Sequence, residues 1–325
     1  MIGVLLLNLG GPDSLAAVRP FLYNLFSDRE IIRLGPSFMQ KPLAHLISTL
    51  RHKKTESYYE LIGGKSPIRE ITAAQAEALE AELLRRQQAG SLTGEFRTFV
   101  CMRYWHPLTE EVVPRIYDEG IRKVIALTLY PHYSVATTGS SVSKLNEVAG
   151  GLPLEVLPIS SWYDHPGYID ALAEKIRDGI AAFPSDAGVH LLFSAHSLPQ
   201  KFIEDGDPYV RHITATISAI AQRIRIPYDL SYQSKSGPVK WLEPSTDEML
   251  HTLAARGVRN LLVVPVSFVS DHIETLFEID ILYKNMAEGL GMVLKRTESL
   301  NTTPLFISAL ADIACEGARK AKWII

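Results

Sequence analysis

The sequence has 325 residues, of which 46% are hydrophobic and 21% are charged, enough for one large or two modest globular domains. The formal net charge is −3 without a block of like charges, which argues against nucleic acid as a partner. Residues 1–9 are apolar but lack the features of a secretion signal, and no apolar run is long enough to span a membrane. We therefore expect a cytoplasmic protein.

Short apolar runs alternate with stretches of helical length along the chain. Taken as strands, the runs cover residues 2–9, 96–102, 122–130, 154–159, 188–195, 228–233, 259–266 and 291–296. The helical stretches cover residues 14–27, 68–88, 108–119, 166–181, 207–224, 245–255, 272–289 and 304–324. This alternation is typical of α/β domains with parallel sheets.

A weak internal repeat relates the two halves of the chain. The segment that begins at Gly120 aligns with the one at Gly257, and Gly3 aligns with Gly188. Between these points the first half is longer by about 48 residues, and residues 30–67, which contain no predicted strand, are the candidate insertion.

The repeat predicts two doubly wound domains. We expect an N-terminal domain of residues 1–164, a C-terminal domain of residues 165–303, and a helix in residues 304–325 that packs back on the first domain. In open parallel sheets, ligands bind beyond the carboxyl ends of the strands. The residues that follow the strands are therefore the functional candidates.

The strand that ends at Phe193 runs into the segment Ser-Ala-His-Ser-Leu-Pro, which contains His196. Histidine has an unperturbed pKa of about 6.5, so at this position it can accept protons near neutral pH. The alternative for a lone histidine is a structural role in a cap or in the core.

An acidic segment follows the strand that ends near Val266. On a helix, Asp271, Glu274 and Glu278 would share one stripe beside His272, and apolar neighbours indicate that much of this helix is buried. Stacked like charges repel one another, which suits cation attraction or a proton relay better than stability. A solvated acidic face is the alternative.

Two further segments combine aromatic rings with cations. Residues 101–107 place Arg103 beside Tyr104, and residues 233–244 carry Trp241 on a loop rich in Gly and Pro. Flat rings and cations together suit a planar ligand that bears carboxylates, although either segment alone is more often packing.

Seven segments together resemble the ferrochelatase family, whose members insert Fe²⁺ into a porphyrin at the last step of haem synthesis. They are residues 7–12, 62–68, 103–109, 194–199, 233–235, 241–244 and 270–280. The resemblance runs from about residue 2 to residue 320. A cobalt chelatase acting on a more carboxylated tetrapyrrole would share the architecture but not these motifs.

The resemblance implies a chelatase-like α/β fold of two Rossmann-like domains, each with a parallel four-stranded sheet flanked by helices, and a porphyrin in the cleft between them. It implies that Asp271, His272, Glu274 and Glu278 lie on a helix with a widened π-type turn and act in catalysis with His196, and that His196 and Glu274 contact the metal. The implied porphyrin-binding residues are Asn8, Tyr59, Ser66, Arg103, Tyr104, Ser134 and Trp241.

Iron is expected as a substrate, with no tightly bound cofactor. The chain has two cysteines, Cys101 and Cys315, which are too few for a [2Fe-2S] cluster and are expected to be buried. The family contains both monomers and dimers, so a homodimer stays open.

The family divides between protoporphyrin IX and coproporphyrin III as the porphyrin substrate. Residues 39, 43, 46, 47 and 50 are apolar and share one helical face, and residues 51–54 are basic. Such a lip can meet anionic lipid head groups, although an amphipathic helix packed on its own domain is the alternative. We expect protohaem synthesis from protoporphyrin IX and peripheral association with the inner membrane through residues 31–54. The alternatives are a coproporphyrin III enzyme that makes coprohaem and a non-catalytic tetrapyrrole-binding protein.

Overall fold

The computed structural model describes residues 1–235, 237 and 239–325. These residues form two compact units. The first comprises Met1–Trp162 together with Asn301–Ile325, and the second comprises Tyr163–Leu300. The boundaries predicted from the sequence, residues 164 and 303, lie close to those of the two units.

A parallel four-stranded sheet forms the centre of the first unit. Its strands are β1 (Ile2–Asn8), β2 (Phe96–Met102), β3 (Lys123–Thr128) and β4 (Glu155–Ile159), in the order β2-β1-β3-β4. Every residue of β1 is buried because this strand is central in the sheet and covered on both faces, as its unbroken apolar run predicts.

In this unit, helices follow the first three strands, β1, β2 and β3. They are α1 (Val18–Ser27), α2 (Gln40–Glu60), α3 (Ile68–Gln88), α4 (Thr109–Asp118) and α5 (Ser140–Ala149), with a short π-helix, Val135–Gly139, before α5. Helix α2 lies within the predicted insertion of residues 30–67 and packs on α1. The Gln40 amide fixes the loop between these helices, since its Nε2 donates to the carbonyl oxygens of Phe26 and Ile32.

The second unit repeats the same strand order. Its strands are β5 (Val189–His196), β6 (Tyr228–Gln233), β7 (Asn260–Pro265) and β8 (Val293–Arg296), all parallel in the order β6-β5-β7-β8. Its helices are α6 (Pro166–Ala181), α7 (Gln200–Glu204), α8 (Tyr209–Arg223), α9 (Thr246–Ala255), a π-helix (Glu274–Tyr283) and α10 (Lys284–Gly289). The eight predicted strands are thus all found within the described residues.

Helix α11 (Pro304–Lys320) packs on α3 and β3 of the first unit. Phe306 and Leu310 are fully buried. A Cβ atom at Gly317 would lie 2.9 Å from Ile159 Cδ1, so the absence of a side chain there lets the helix lie against β4. The helix therefore completes the core of the first unit.

Three helical predictions need correction. Residues 272–289, expected from the sequence pattern as a single helix, form a π-helix followed by α10, in agreement with the π-type turn that the resemblance implies. Helix α5 is absent from the prediction because it begins with Ser140 and Ser141, and serine usually favours caps and turns over helix interiors. Helix α7 has only five residues, too few for a periodic apolar pattern to develop.

Two further expectations can be compared with the described part of the chain. Cys101 and Cys315 are both free and buried, as predicted. No helix in the described ranges is both long enough and apolar enough to cross a lipid bilayer.

Candidate active site

His196 is the last residue of β5, where a parallel strand delivers its side chain to the carboxyl edge of the sheet. Its Nδ1 lies 2.9 Å from Oε2 of Glu274, and its side chain is 36% exposed. The backbone is fixed on both sides, because its N–H donates to Ser267 Oγ and its carbonyl accepts from the Tyr209 hydroxyl. The imidazole is therefore held in place yet open on one side.

Glu274 is the first residue of the long π-helix and receives several hydrogen bonds. Its Oε2 lies 2.8 Å from Ser234 Oγ and 3.3 Å from Gln233 Nε2, in addition to the contact with His196. Burial acts to raise the pKa of Glu274, but His196 and His272 outweigh it and hold the pKa well below its ordinary range. Glu274 is thus ionised at neutral pH.

Ser234 bridges two carboxyl groups. Its Oγ lies 2.8 Å from Glu274 Oε2 and 2.6 Å from Glu278 Oε2. Burial, followed by the charge of Glu274, raises the pKa of Glu278 to about 7. A hydroxyl has one proton, so Ser234 can donate to only one of these carboxyl groups, and a proton on Glu278 satisfies the other contact.

Because of this pairing, His196 is a stronger base than an isolated histidine. Burial lowers the pKa of His196, but the charge of Glu274 and the hydrogen bond to it outweigh that effect, and the net pKa is raised. We call His196, Gln233, Ser234, Glu274 and Glu278 the His196 cluster. It combines a base with a continuous line of hydrogen-bonding groups that can carry a proton away from it.

His272 lies beside this cluster and is largely buried. Its Nδ1 lies 3.0 Å from the carbonyl oxygen of Ser270, which can only accept, so Nδ1 carries the hydrogen. Its Nε2 lies 3.8 Å from Glu274 Oε1. Nε2 of His272 is thus the ring nitrogen that faces Glu274.

Asp271 does not join the acidic stripe predicted for it. It precedes the π-helix, and its Oδ1 lies 3.0 Å from Arg296 Nη1 and 2.8 Å from Ser299 Oγ. The prediction of one stripe assumed a regular helix that includes Asp271, whereas the helix begins later and Arg296 draws this carboxylate aside. The predicted stripe is therefore wrong for Asp271, while Glu274 and Glu278 do share Ser234.

Arg103 and Tyr104 directly follow β2 in the first unit and converge on Asp28. Arg103 Nη2 and the Tyr104 hydroxyl each lie 2.7 Å from Asp28 Oδ2, and Ser140 donates to the same oxygen. Burial raises the pKa of Asp28, but its hydrogen bonds and the charge of Arg103 outweigh this effect and the pKa is lowered. The Tyr104 side chain is 1% exposed and its hydroxyl is bound to Asp28. Its contact with porphyrin stays a prediction.

The remaining predicted porphyrin-binding residues differ in exposure. Four are buried in the first unit, namely Asn8, Tyr59, Ser66 and Ser134. Asn8 Nδ2 donates to Thr72 Oγ1, and Ser134 caps the short π-helix by accepting from the Ala136 N–H. Trp241 is partly buried, and its Nε1 has no hydrogen-bond partner among the described residues. Porphyrin contact by these residues stays a prediction.

Sequence reasoning missed several residues that shape these sites. Gln233 and Ser234 belong to the segment of residues 233–235 at the end of a strand, and that position was a sufficient signal to propose them. Tyr209 and Asp28 gave no such signal, since each lies in or beside a helix and contacts a serine, Ser267 or Ser140, that is 58 or 112 residues away.

The comparisons with known proteins agree with one another. The family model described as Ferrochelatase matches residues 1–318. A ferrochelatase of Geotalea uraniireducens is 56% identical over 314 residues, which cover 95% of this chain and 96% of that protein.

Two solved structures show the same fold at low sequence identity. SirB from Bacillus subtilis with Fe³⁺ has a TM-score of 0.60 at 12% identity, covering 99% of this chain and 97% of that one. CbiX, the terminal enzyme of sirohaem biosynthesis in denitrifying bacteria, has a TM-score of 0.51 at 11% identity, covering 96% and 97%. These likenesses identify the two-domain chelatase fold. With the whole-length match at high identity, they show that the chain belongs to the ferrochelatase family.

Proposed function

We propose that the chain inserts Fe²⁺ into protoporphyrin IX to give protohaem, with His196 as the base. Metalation replaces two pyrrole N–H protons with one Fe²⁺ ion, so two protons leave the ring for each ion that enters. The contact between His196 Nδ1 and Glu274 Oε2, at 2.9 Å, carries the proposal because it links a base to a route for its protons.

The tautomer of His196 follows from the ionisation of Glu274. An ionised carboxylate can only accept a hydrogen bond, so Nδ1 donates and Nε2 of the neutral ring has the free lone pair. Nε2 takes a pyrrole proton, and the resulting imidazolium is stabilised by the adjacent charge of Glu274. The pair thereby favours the protonated product of this step over the free base.

The proton then leaves through the His196 cluster. It passes from Nδ1 to Glu274, and Ser234 can hand a proton on to Glu278 because its hydroxyl contacts both carboxyl groups. A pKa of about 7 lets Glu278 gain and lose a proton near neutral pH. This transfer leaves the hydrogen of neutral His196 on Nε2, so before the second pyrrole proton is taken the ring must lose that hydrogen and regain one on Nδ1, and Glu278 must release its proton to solvent.

Iron enters the reaction as a substrate, and we propose His196 and Glu274 as its first contacts. Imidazole and carboxylate donors suit Fe²⁺ but also Co²⁺ and Zn²⁺. His272 Nε2, which lies 3.8 Å from Glu274 Oε1, offers a further nitrogen beside them. A protonated imidazole has no lone pair for a metal, so His196 cannot serve as base and ligand at the same moment.

An anaerobic turnover assay with protoporphyrin IX and Fe²⁺, or with Zn²⁺, tests the activity. We expect metal insertion by the wild type and none by His196→Ala, with porphyrin affinity changed by less than about tenfold, or about 1.4 kcal/mol. The control is His190→Ala, which alters a buried histidine on the same strand that is paired with Asp229. Porphyrin binding by the wild type without metalation would instead indicate a binding protein.

We further propose that the lip of residues 31–54 rests on an anionic membrane. Phe38, Leu46 and Leu50 are 77%, 52% and 73% exposed, and Met39 is exposed beside them. Lys53 and Lys54 are exposed on α2, the helix that carries Leu46 and Leu50. Each basic residue near an anionic surface contributes about 1 kcal/mol to membrane binding. An exposed apolar face flanked by lysines is typical of an interfacial helix.

The lip also supports protoporphyrin IX as the substrate. This porphyrin has vinyl groups where coproporphyrin III has two further propionates, so it is the more apolar and partitions into membranes. Steady-state comparison of both porphyrins in the same detergent tests the choice. A higher kcat/KM for coproporphyrin III, together with no binding to anionic vesicles, would contradict both proposals about the lip.

A further inference from the structure

Arg296 is the last residue of β8, and its side chain is only 10% exposed. Its guanidinium binds two aspartates, one on each side of the start of the long π-helix. Nε lies 2.8 Å from Asp280 Oδ1, and Nη2 lies 2.8 Å from Asp280 Oδ2. The third nitrogen, Nη1, lies 3.0 Å from Asp271 Oδ1. One planar group thus connects the residues before the helix with a residue inside it.

The contact with Asp271 continues into the His196 cluster. Asp271 Oδ1 also accepts from Thr275 Oγ1 at 3.0 Å, and Thr275 Oγ1 accepts from the His272 N–H at 3.1 Å. These bonds fix the turn that carries His272 and leads directly into Glu274. Among the described residues, Arg296 forms no hydrogen bond or ion pair with His196 or Glu274.

A π-helix requires such support from outside. Its i→i+5 hydrogen bonding is rare and is found mostly as single turns at functional sites, whereas this one extends from Glu274 to Tyr283. Relaxation to a regular helix would change the direction of Glu278 relative to Glu274. Ser234 could then no longer contact both carboxyl groups, so the relay depends on the register of this helix.

We propose that Arg296 is a positioning residue that holds the π-helix in register for metal insertion. A buried ion pair gives little net stability, because desolvation offsets much of its attraction. The planar guanidinium fork, in contrast, fixes the relative positions of two carboxylates, which the point charge of lysine cannot do. Asp271 is also a positioning residue, because it connects Arg296 to Thr275 at the start of the helix. This inference rests on the proposed function of the His196 cluster.

Arg296→Lys is the first test, with Arg86→Lys as a matched control. Arg86 is 16% exposed and also pairs with two carboxylates, Glu82 and Asp312, but it lies in the first unit. We expect Arg296→Lys to lower kcat at least tenfold and to change the KM for protoporphyrin less than twofold. Arg86→Lys should lower the apparent Tm comparably while kcat, measured well below Tm, stays within twofold. Equal kcat losses in both variants, or none in Arg296→Lys, would overturn the proposal.

Hydrogen–deuterium exchange supplies a readout that does not depend on activity. In Arg296→Lys, the backbone amides of Glu274–Tyr283 should exchange at least tenfold faster, while those of α9 in the same unit stay unchanged. Unchanged exchange in the π-helix would refute the positioning role even if turnover falls. If wild type and Arg86→Lys fail to insert metal, the proposed function fails, and exchange still decides whether Arg296 holds the helix.

Asp280→Asn is the second variant, in case Arg296→Lys does not fold. It keeps the size of the side chain but replaces one oxygen that accepts from Arg296 with a donor, so the paired hydrogen bond is lost. We expect kcat to fall at least fivefold with faster exchange of the π-helix. Wild-type kcat and exchange in this variant would overturn the proposal.

Discussion

Ser234 adopts a backbone conformation that serine normally avoids. Its φ is 67°, in the left-handed region that favours glycine. For other residues this region costs roughly 1–2 kcal/mol, so the surrounding contacts must hold the residue there. The serine hydroxyl supplies what glycine cannot, a hydrogen-bonding group between Glu274 and Glu278. Strain at this position is therefore coupled to the proton relay.

Ser234→Gly separates the hydroxyl from the backbone strain. Glycine adopts the same conformation freely, so we expect the apparent Tm to stay equal or rise, while kcat falls about tenfold because the relay is interrupted. The control is Asn301→Gly, which relieves another left-handed residue, φ 42°, in the first unit and should leave kcat unchanged. Wild-type kcat in Ser234→Gly would remove the hydroxyl from proton transfer.

Glu278→Gln tests the ionisation of the relay through stability. The pKa of Glu278 is raised from its ordinary 4.5 to about 7, so stability from the neutral carboxyl is full below pH 4.5 and is lost as the pH rises through 7. Glutamine resembles the neutral form at every pH. We expect a higher apparent Tm than wild type at pH 8, by several degrees, and little difference at pH 4.5. An equal shift at both pH values would show that the effect is not electrostatic.

Residue-level prediction depends on how far apart the partners lie in the sequence. His196 could be proposed because it directly follows a buried strand, and Glu274 and Glu278 because their spacing is visible. Asp28 could not, since Arg103 and Ser140 lie 75 and 112 residues away. Such a pairing is a product of the tertiary fold, and a single sequence contains no local pattern that marks it.

At the scale of elements, strands are predictable where apolar runs are unbroken. β1 and β7 satisfy this condition and occur within one or two residues of their expected bounds. The π-helix has no periodic signature of its own, and only the resemblance indicated a widened turn there. Its register depends on Arg296, which comes from β8 and lies outside the helix.

The exposed face of α2 leads to a prediction about membrane binding. Leu46→Gln combined with Leu50→Gln keeps helix propensity but removes two exposed apolar side chains, so affinity for anionic vesicles should fall at least tenfold. Turnover with protoporphyrin dissolved in detergent should stay within twofold. The matched control is Leu84→Gln, an exposed leucine on α3 of the same unit. Equal vesicle binding by all three proteins would disprove the role of the lip.

At the scale of the whole molecule, the two units share one strand order, with β1 and β5 in corresponding central positions. The weak repeat of glycines and apolar runs indicated this similarity because each glycine lies close to the start of a strand. The difference in length was also visible, and α2 accounts for part of it. The packing of the C-terminal helix on the first unit was expected from the sequence. The burial of Phe306 could be seen only in the structure.

Phe306→Ala should destabilise the first unit selectively. Phe306 is fully buried and its ring lies 6.0 Å from that of Trp162, so its loss leaves a cavity that costs about 3–5 kcal/mol. Native-state hydrogen exchange should therefore accelerate in β1 and β3, with little change in β5 and β7. Equal acceleration in both sheets would show that the units unfold as one.

The discontinuity of the first unit has a consequence for the order of events during synthesis. Tyr163–Leu300 is continuous, so its sheet and helices can close as soon as that stretch has left the ribosome. The first unit emerges earlier but cannot finish its core until Pro304–Lys320 is made. The half of the protein that is translated first is therefore completed last, and the apolar surface reserved for α11 stays uncovered in nascent chains until then.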